Sequence, residues 1–142
     1  MIINDLEDKK IIYISNNEIF YDDHTSLKYP GKIEKLFDEI CLTEFTALKG
    51  RKEAIKILFG YKNNPPLYLI KNIVLIKIED IIKNTTLYLN TIYITKIEKE
   101  GINCKVYFIN NTFLFLCLDI KYLKRQLEKA YKITNSYNKN FI

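Results

Sequence analysis

The chain has 142 residues, 48% of them hydrophobic and 27% charged, with a formal net charge of +5. A folded chain of about 150 residues buries roughly two-thirds of the surface it exposes when unfolded, so one domain with a real core is expected, and the hydrophobic-to-charged balance excludes a disordered or fibrous protein. Residues 1–45 hold 10 acids and 5 bases while residues 46–142 hold 17 bases and 7 acids, an acidic leader before a basic body that suits a polyanion or an anionic surface.

Residues 11–14 and 18–21 are short apolar runs on either side of Ser15-Asn16-Asn17. They predict two strands and a tight turn, because Asn tolerates the positive φ that such turns demand. Asp22-Asp23-His24 offers two carboxylates and a lone imidazole, which reads as a solvated loop and not as a metal site. Beyond the breaker Tyr29-Pro30-Gly31, Ile33, Leu36, Phe37, Ile40 and Cys41 recur at helical spacing. They predict an amphipathic helix over about 32–41, whose other face (Lys32, Glu34, Lys35, Asp38 and Glu39) is mixed in sign and suits solvent.

Residues 51–59 fit both strand alternation and helical periodicity. Their β-branched content and the following Gly60 favour a strand. Pro65-Pro66 forces an extended approach to 67–70, and 73–78 follows Lys71-Asn72, which predicts a hairpin whose second strand is buried on both faces. A strand is expected over 88–97 with a turn at Glu100-Gly101, and 104–109 and 112–118 flank Asn110-Asn111, a two-residue hairpin loop. The meander closes with a helix over about 120–132, for which Asp119 is the candidate N-cap. Ile120, Leu123, Leu127, Ala130 and Tyr131 make its apolar stripe, and Lys121, Lys124, Arg125, Lys129 and Lys132 cluster opposite with Glu128. From Thr134 onward a polar, Asn-rich, frayed tail is expected, which leaves 1–133 as a single domain.

The predicted fold class is therefore α+β, an antiparallel β-meander or sheet packed with two amphipathic helices. Cys41, Cys104 and Cys117 form no close-spaced pair and lie in apolar contexts, so buried free thiols are expected in preference to a zinc site or a disulfide framework. No cofactor and no metal are expected. The N-terminal octapeptide lacks a basic region before an apolar segment, and no apolar run approaches the ~20 residues that span a bilayer, because Lys71 and Lys77 interrupt the longest one. A cytoplasmic protein follows. With no second His, no Ser in a nucleophile elbow and only four glycines, the sequence holds neither a catalytic constellation nor a phosphate-cradling loop, so no enzyme is expected.

Several motifs keep a common order and spacing: Cys41, eight residues, then Gly50-Arg51-Lys52; Pro65-Pro66; the apolar run 73–76; a strand at 87–94; Val106-Tyr107-Phe108-Ile109-Asn110-Asn111; and the helix 123–130. Over about residues 41–132 the chain resembles the ComK-like competence transcription factors, as a short, divergent member. It departs from the family pattern at 76–80, where a Phe-Pro-Thr followed by serines is replaced by Ile76-Lys77-Ile78-Glu79-Asp80, at Thr86-Leu87-Tyr88, which stands for Cys-x-Trp, and at Asn64, which stands for the Lys before the double proline.

The resemblance implies an activator of competence and DNA-uptake genes that binds A/T-rich boxes in double-stranded DNA. Binding would run mainly through the minor groove, by a homodimer or higher homo-oligomer that engages the transcription machinery and associates with the nucleoid when bound. A/T-rich minor grooves are narrow and strongly negative, so cations read them by potential and width. On this reading Arg51 enters the groove, Lys49 and Lys52 take flanking phosphates, Gly50 allows close approach or a positive φ, and Pro65 and Pro66 set the bend. The alternative for Arg51 is a structural pair with an acid on the sheet. Lys121, Lys124, Arg125 and Lys129 form the second candidate patch, weighed against a merely solvated face. Two other architectures fit a meander with a closing helix: a LytTR-like DNA-binding output domain, and a PH-like module for lipid headgroups or peptides.

Overall fold

The structure, a computed structural model, describes residue 6 and residues 8–141, with side chains as far as residue 137. Residues 1–5 and 7 of the expected domain and residue 142 of the expected tail lie outside the described residues, as does most of the octapeptide read for a leader. The elements run β1 (Ile11–Ser15), β2 (Glu18–Tyr21), β3 (Ser26–Lys28), α1 (Ile33–Leu42), α2 (Leu48–Phe59), β4 (Leu67–Ile70), β5 (Ile73–Asp80), β6 (Thr85–Asn90), β7 (Ile94–Glu100), β8 (Asn103–Phe108), β9 (Phe113–Leu116) and α3 (Ile120–Phe141). The fold is α+β, with an antiparallel six-stranded sheet in the order β3-β2-β1-β6-β5-β4 and an antiparallel three-stranded sheet β7-β8-β9.

Alternation along the strands sets the layers. On β5, Ile73 and Leu75 face a core with Leu36, Phe37 and Ile40 of α1, while Val74, Ile76 and Ile78 face a second core with Leu123, Leu127 and Ala130 of α3. Val106, Phe108 and Leu116 of the small sheet join that second core. The strand is thus buried on both faces, as its unbroken apolar run implies. Asn16 and Asn17 both have positive φ in the two-residue turn that pairs Ser15 with Glu18, the backbone of a primed hairpin. At the start of α3, Asp119 Oδ1 accepts from the Lys121 N–H at 2.9 Å, which makes Asp119 the N-cap.

The structure corrects five sequence expectations. Residues 51–59 belong to a helix, not a strand, so three helices and not two pack on the sheets. Leu48 and Ile55 are buried at helical spacing, and Gly60, in the left-handed region at φ 71°, ends the helix by donating to the Lys56 carbonyl at 3.0 Å. Gly50 therefore sits in the first turn of α2; its φ is not positive, and a Cβ there would meet only Thr46 Oγ1 at 3.6 Å.

The strand expected over 88–97 is divided between the two sheets by a 3-10 turn, Thr91–Tyr93. Asn90 is the cause. Its side chain is fully buried, with Nδ2 donating to the carbonyls of Ile11 and Asn72 and Oδ1 accepting from the N–H groups of Val74 and Ile92. Four backbone groups are satisfied by one side chain at the point where the chain leaves the first sheet, and Thr91 Oγ1 adds a bond to the Val74 carbonyl at 2.9 Å.

The loop between β8 and β9 is longer than the two residues expected, and of Asn110 and Asn111 only Asn111 has positive φ. Finally, α3 runs to Phe141, through the stretch expected to fray, because Ala130 and Ile133 continue the buried stripe and the Tyr137 ring lies 4.2 Å from that of Tyr68. Tyr131, placed on the stripe by the sequence, is instead 44% exposed.

Candidate nucleic-acid interface

The first predicted patch divides at α2. Lys49 and Lys52 are exposed, and Lys56, one further turn on, extends the same face, because residues three and four apart on a helix are neighbours. Arg51 points the other way. Its side chain is 16% exposed, Nη2 lies 3.1 Å from Glu44 Oε1, and the guanidinium carbon sits 5.3 Å from the Tyr68 ring and 5.2 Å from the Tyr137 ring. A planar cation held between two aromatic rings and a carboxylate is a clamp between the α1–α2 connection, β4 and α3. The structural alternative for Arg51 is the arrangement found, although the acid comes from the connection between helices and not from the sheet.

Lys52 and Lys56 overhang a cavity of about 340 Å3 between α2 and the α1 side of the large sheet. Lys62 and Lys77 add two further cations to its wall, and Glu34 and Glu53 supply the opposing charge. Lys77 pairs with Glu79 at 3.4 Å, whereas Lys52, Lys56 and Lys62 have no carboxylate within 4.0 Å among the described residues. Tyr88 also lines the cavity; burial first, then Glu34 and Glu79, pushes its hydroxyl up to about 12, so it stays neutral. Pro65 lines the same wall and Pro66 is buried, so the double proline sets the entry into β4.

The second predicted patch divides in the same way. Lys121, Arg125 and Lys129 recur every four residues along one line of α3. Lys129 Nζ stands 5.2 Å from the ring centroid of Tyr61, which is itself stacked on Phe59 and lines the α2 cavity. One residue from Arg125, Gln126 donates to the Asn64 carbonyl at 3.1 Å. The connection 60–66 is therefore fastened to α3 at two points. Through it, the cations of α2 (Lys52 and Lys56) and of the connection (Lys62) share one side of the molecule with Lys129 of α3, and Arg125 lies one helical turn before Lys129. Lys124 leaves this line and faces β7 beside Lys96 and Glu128.

Lys56, Lys62, Lys77 and Tyr61 were not singled out by the sequence. The signal for Lys56 was the four-residue step from Lys52, which is visible only once the segment is taken as a helix. Lys62 stands two residues before Asn64, near the family's Lys before the double proline, whereas Lys77 and Tyr61 carry no local signal, since tertiary packing alone brings them to the cavity. Among the described residues, no group of three or more His, Cys, Asp or Glu side chains is placed to hold a metal ion, and no helix is long and apolar enough to cross a membrane.

The family model described as ComK protein matches residues 2–141, which extends the likeness from the motif region at 41–132 to the N-terminal strands and displaces the LytTR-like and PH-like readings of the meander. No curated protein and no solved structure matches the chain. Matched over nearly its whole length, the chain belongs to the ComK family of competence transcription factors.

Proposed function

We propose that the protein is a DNA-binding activator of competence and DNA-uptake genes, and that it holds A/T-rich duplex DNA with the cations of α2, the 60–66 connection and α3. It acts in the cytoplasm, associated with the nucleoid when bound, as a homodimer or a higher homo-oligomer. The observation that carries the reading is the Lys129–Tyr61 contact, which joins two patches distant in sequence into one cationic band. Lys49, Lys52, Lys56, Lys62, Lys121 and Lys129 are its phosphate contacts, since lysine ammonium groups neutralise the backbone without reading sequence.

The chain has two arginines, and Arg51 is engaged in the clamp. Minor-groove insertion therefore passes to Arg125, which is exposed in the middle of the α3 line. Arginine is favoured in a narrow A/T minor groove, where the negative potential is deepest. Arg125→Gln is expected to reduce the preference for an A/T-rich over a G/C-rich duplex by about 1–3 kcal/mol, the range of one base-discriminating contact. Fluorescence anisotropy on the two duplexes, with and without a minor-groove competitor, measures this. An unchanged preference in Arg125→Gln, or wild-type binding indifferent to the competitor, would contradict the assignment.

A further inference from the structure

Alternation divides the small sheet into two faces. Cys104, Val106 and Phe108 of β8 and Leu114 and Leu116 of β9 turn into the core, so Lys105, Tyr107, Phe113 and Phe115 turn outward. The register lays this face out in two rows, Lys96-Tyr107-Phe113 and Glu98-Lys105-Phe115. Phe113 is 52% exposed and Phe115 39%.

Each ring has an ammonium group beside it. Lys96 Nζ lies 5.3 Å from the Tyr107 centroid, Lys105 Nζ 4.9 Å from that of Phe113, and Lys83 Nζ 5.5 Å from that of Phe115. Glu98 and Glu100 pair with Lys96 and Lys105 at 3.2 and 3.3 Å, so three lysines stand against two glutamates. The outer edge of β9 is engaged where Phe115 ends it: the Phe115 carbonyl accepts from Lys83 Nζ at 2.7 Å, and the Cys117 N–H donates to Asp80 Oδ2 at 3.4 Å. The face, and not the edge, is therefore what a partner meets.

The interleaving of rings and cations selects the partner. An apolar protein surface would bury the ammonium groups without an acceptor, which is costly, whereas a nucleic-acid strand supplies a π-face for each ring and a phosphate for each cation. Residues two apart on a strand stand about 7 Å apart, roughly twice the ~3.4 Å rise of a duplex strand, so an extended and unpaired strand sets one base on Phe113 and the next on Phe115. The hydroxyls beside the rings are taken, that of Tyr107 by Glu98 and Thr95 Oγ1 by the Tyr107 carbonyl at 3.2 Å, which leaves neither to recognise a ribose 2′-hydroxyl.

We propose that the outer face of β7-β8-β9 binds single-stranded DNA, with bases stacked on Phe113 and Phe115 and the backbone drawn to Lys83 and Lys105. None of these side chains belongs to the cationic band, so the inference stands apart from the duplex reading.

The test is fluorescence anisotropy of the full chain with a labelled thymidine octanucleotide, with a uridine octanucleotide and an A/T-rich duplex as comparisons. Phe113→Leu and Phe115→Leu are each expected to weaken binding of the thymidine strand about ten-fold, the worth of one stacked base, and to leave duplex affinity unchanged. Phe113→Tyr, which keeps the ring, is expected to keep wild-type affinity, and Lys52→Gln/Lys56→Gln/Lys129→Gln to retain single-strand binding. No binding of the thymidine strand, equal affinity in both leucine variants, or tighter binding of the uridine strand overturns the inference. So does affinity lost in the triple lysine variant and kept in the leucine variants, which would place the strand on the cationic band. Loss of self-association in the leucine variants with single-strand affinity intact, read by sedimentation, would make the face an interface between copies and also overturn it.

Discussion

A guanidinium that faces two tyrosine rings and one carboxylate holds three segments of chain at once, and Arg51 does this for Glu44, Tyr68 and Tyr137. Lysine in its place keeps the charge but loses the planar fork and the stacking surface. Arg51→Lys is therefore expected to destabilise the fold by about 1–3 kcal/mol, most of it from the aromatic contacts, since the ion pair itself is partly exposed and worth little. Urea denaturation measures the loss, and an unchanged midpoint would contradict the clamp. Its neighbour Gly50 predicts the opposite sign. With no positive φ and only Thr46 Oγ1 at 3.6 Å from an added Cβ, Gly50→Ala is expected to stabilise α2 by about 0.5–1 kcal/mol, read as a raised thermal midpoint. A drop in the midpoint would mean that the glycine meets a steric need that its surroundings do not show. The Gly-Arg-Lys motif is thus divided by the helix it lies on, with a packed arginine beside an exposed lysine.

At the scale of elements, legibility in the sequence follows how local the determinant is. The first hairpin is set by Asn16 and Asn17, α1 by a five-residue stripe and the start of α3 by Asp119, and each is readable within a few residues. The 51–59 segment is not, because Ile55, Ile57 and Phe59 satisfy alternation while Leu48, Ile55 and Phe59 satisfy helical spacing. What favours the helix is partly remote: Asp38, on α1, accepts from the Leu48 N–H at 2.8 Å and places a carboxylate at the N-terminus of α2, whose own Ala47 cap residue offers no side-chain bond. Asp38→Ala is accordingly expected to cost about 1 kcal/mol, and hydrogen exchange should show the lost protection concentrated in α2 and not in α1. Equal loss over both helices would point to packing in place of the cap. The break between β6 and β7 is equally remote in origin, since Asn90 finds its partners on Ile11, Asn72 and Val74. The C-terminal part of α3 escaped a reading by composition because Ile133 and Tyr137 are spaced for packing within an otherwise polar stretch.

Across the whole molecule, the charge imbalance legible in the sequence becomes a placed surface. The cations of residues 46–142 are not evenly spread: Lys52, Lys56, Lys62 and Lys129 meet around Tyr61, while Lys96 and Lys105 are paired with Glu98 and Glu100 on the small sheet. Order and spacing of motifs identified the family, but not which cations act together. That depends on Tyr61 and Gln126, whose contacts across more than sixty residues fix the connection to α3. The most direct test of the account is the salt dependence of binding to an A/T-rich duplex, wild type against Lys52→Gln/Lys56→Gln/Lys129→Gln. The substituted lysines are exposed or half-buried and free of carboxylate partners, so the thermal midpoint should fall only by the loss of the Lys129–Tyr61 contact, worth about 0.5–1 kcal/mol. With each phosphate contact contributing about −0.9 to the slope of log affinity against log salt, the six lysine contacts predict a wild-type slope of about −5 to −6 and a triple-variant slope shallower by about 3. A wild-type slope near zero, or the same slope in both proteins, would contradict it.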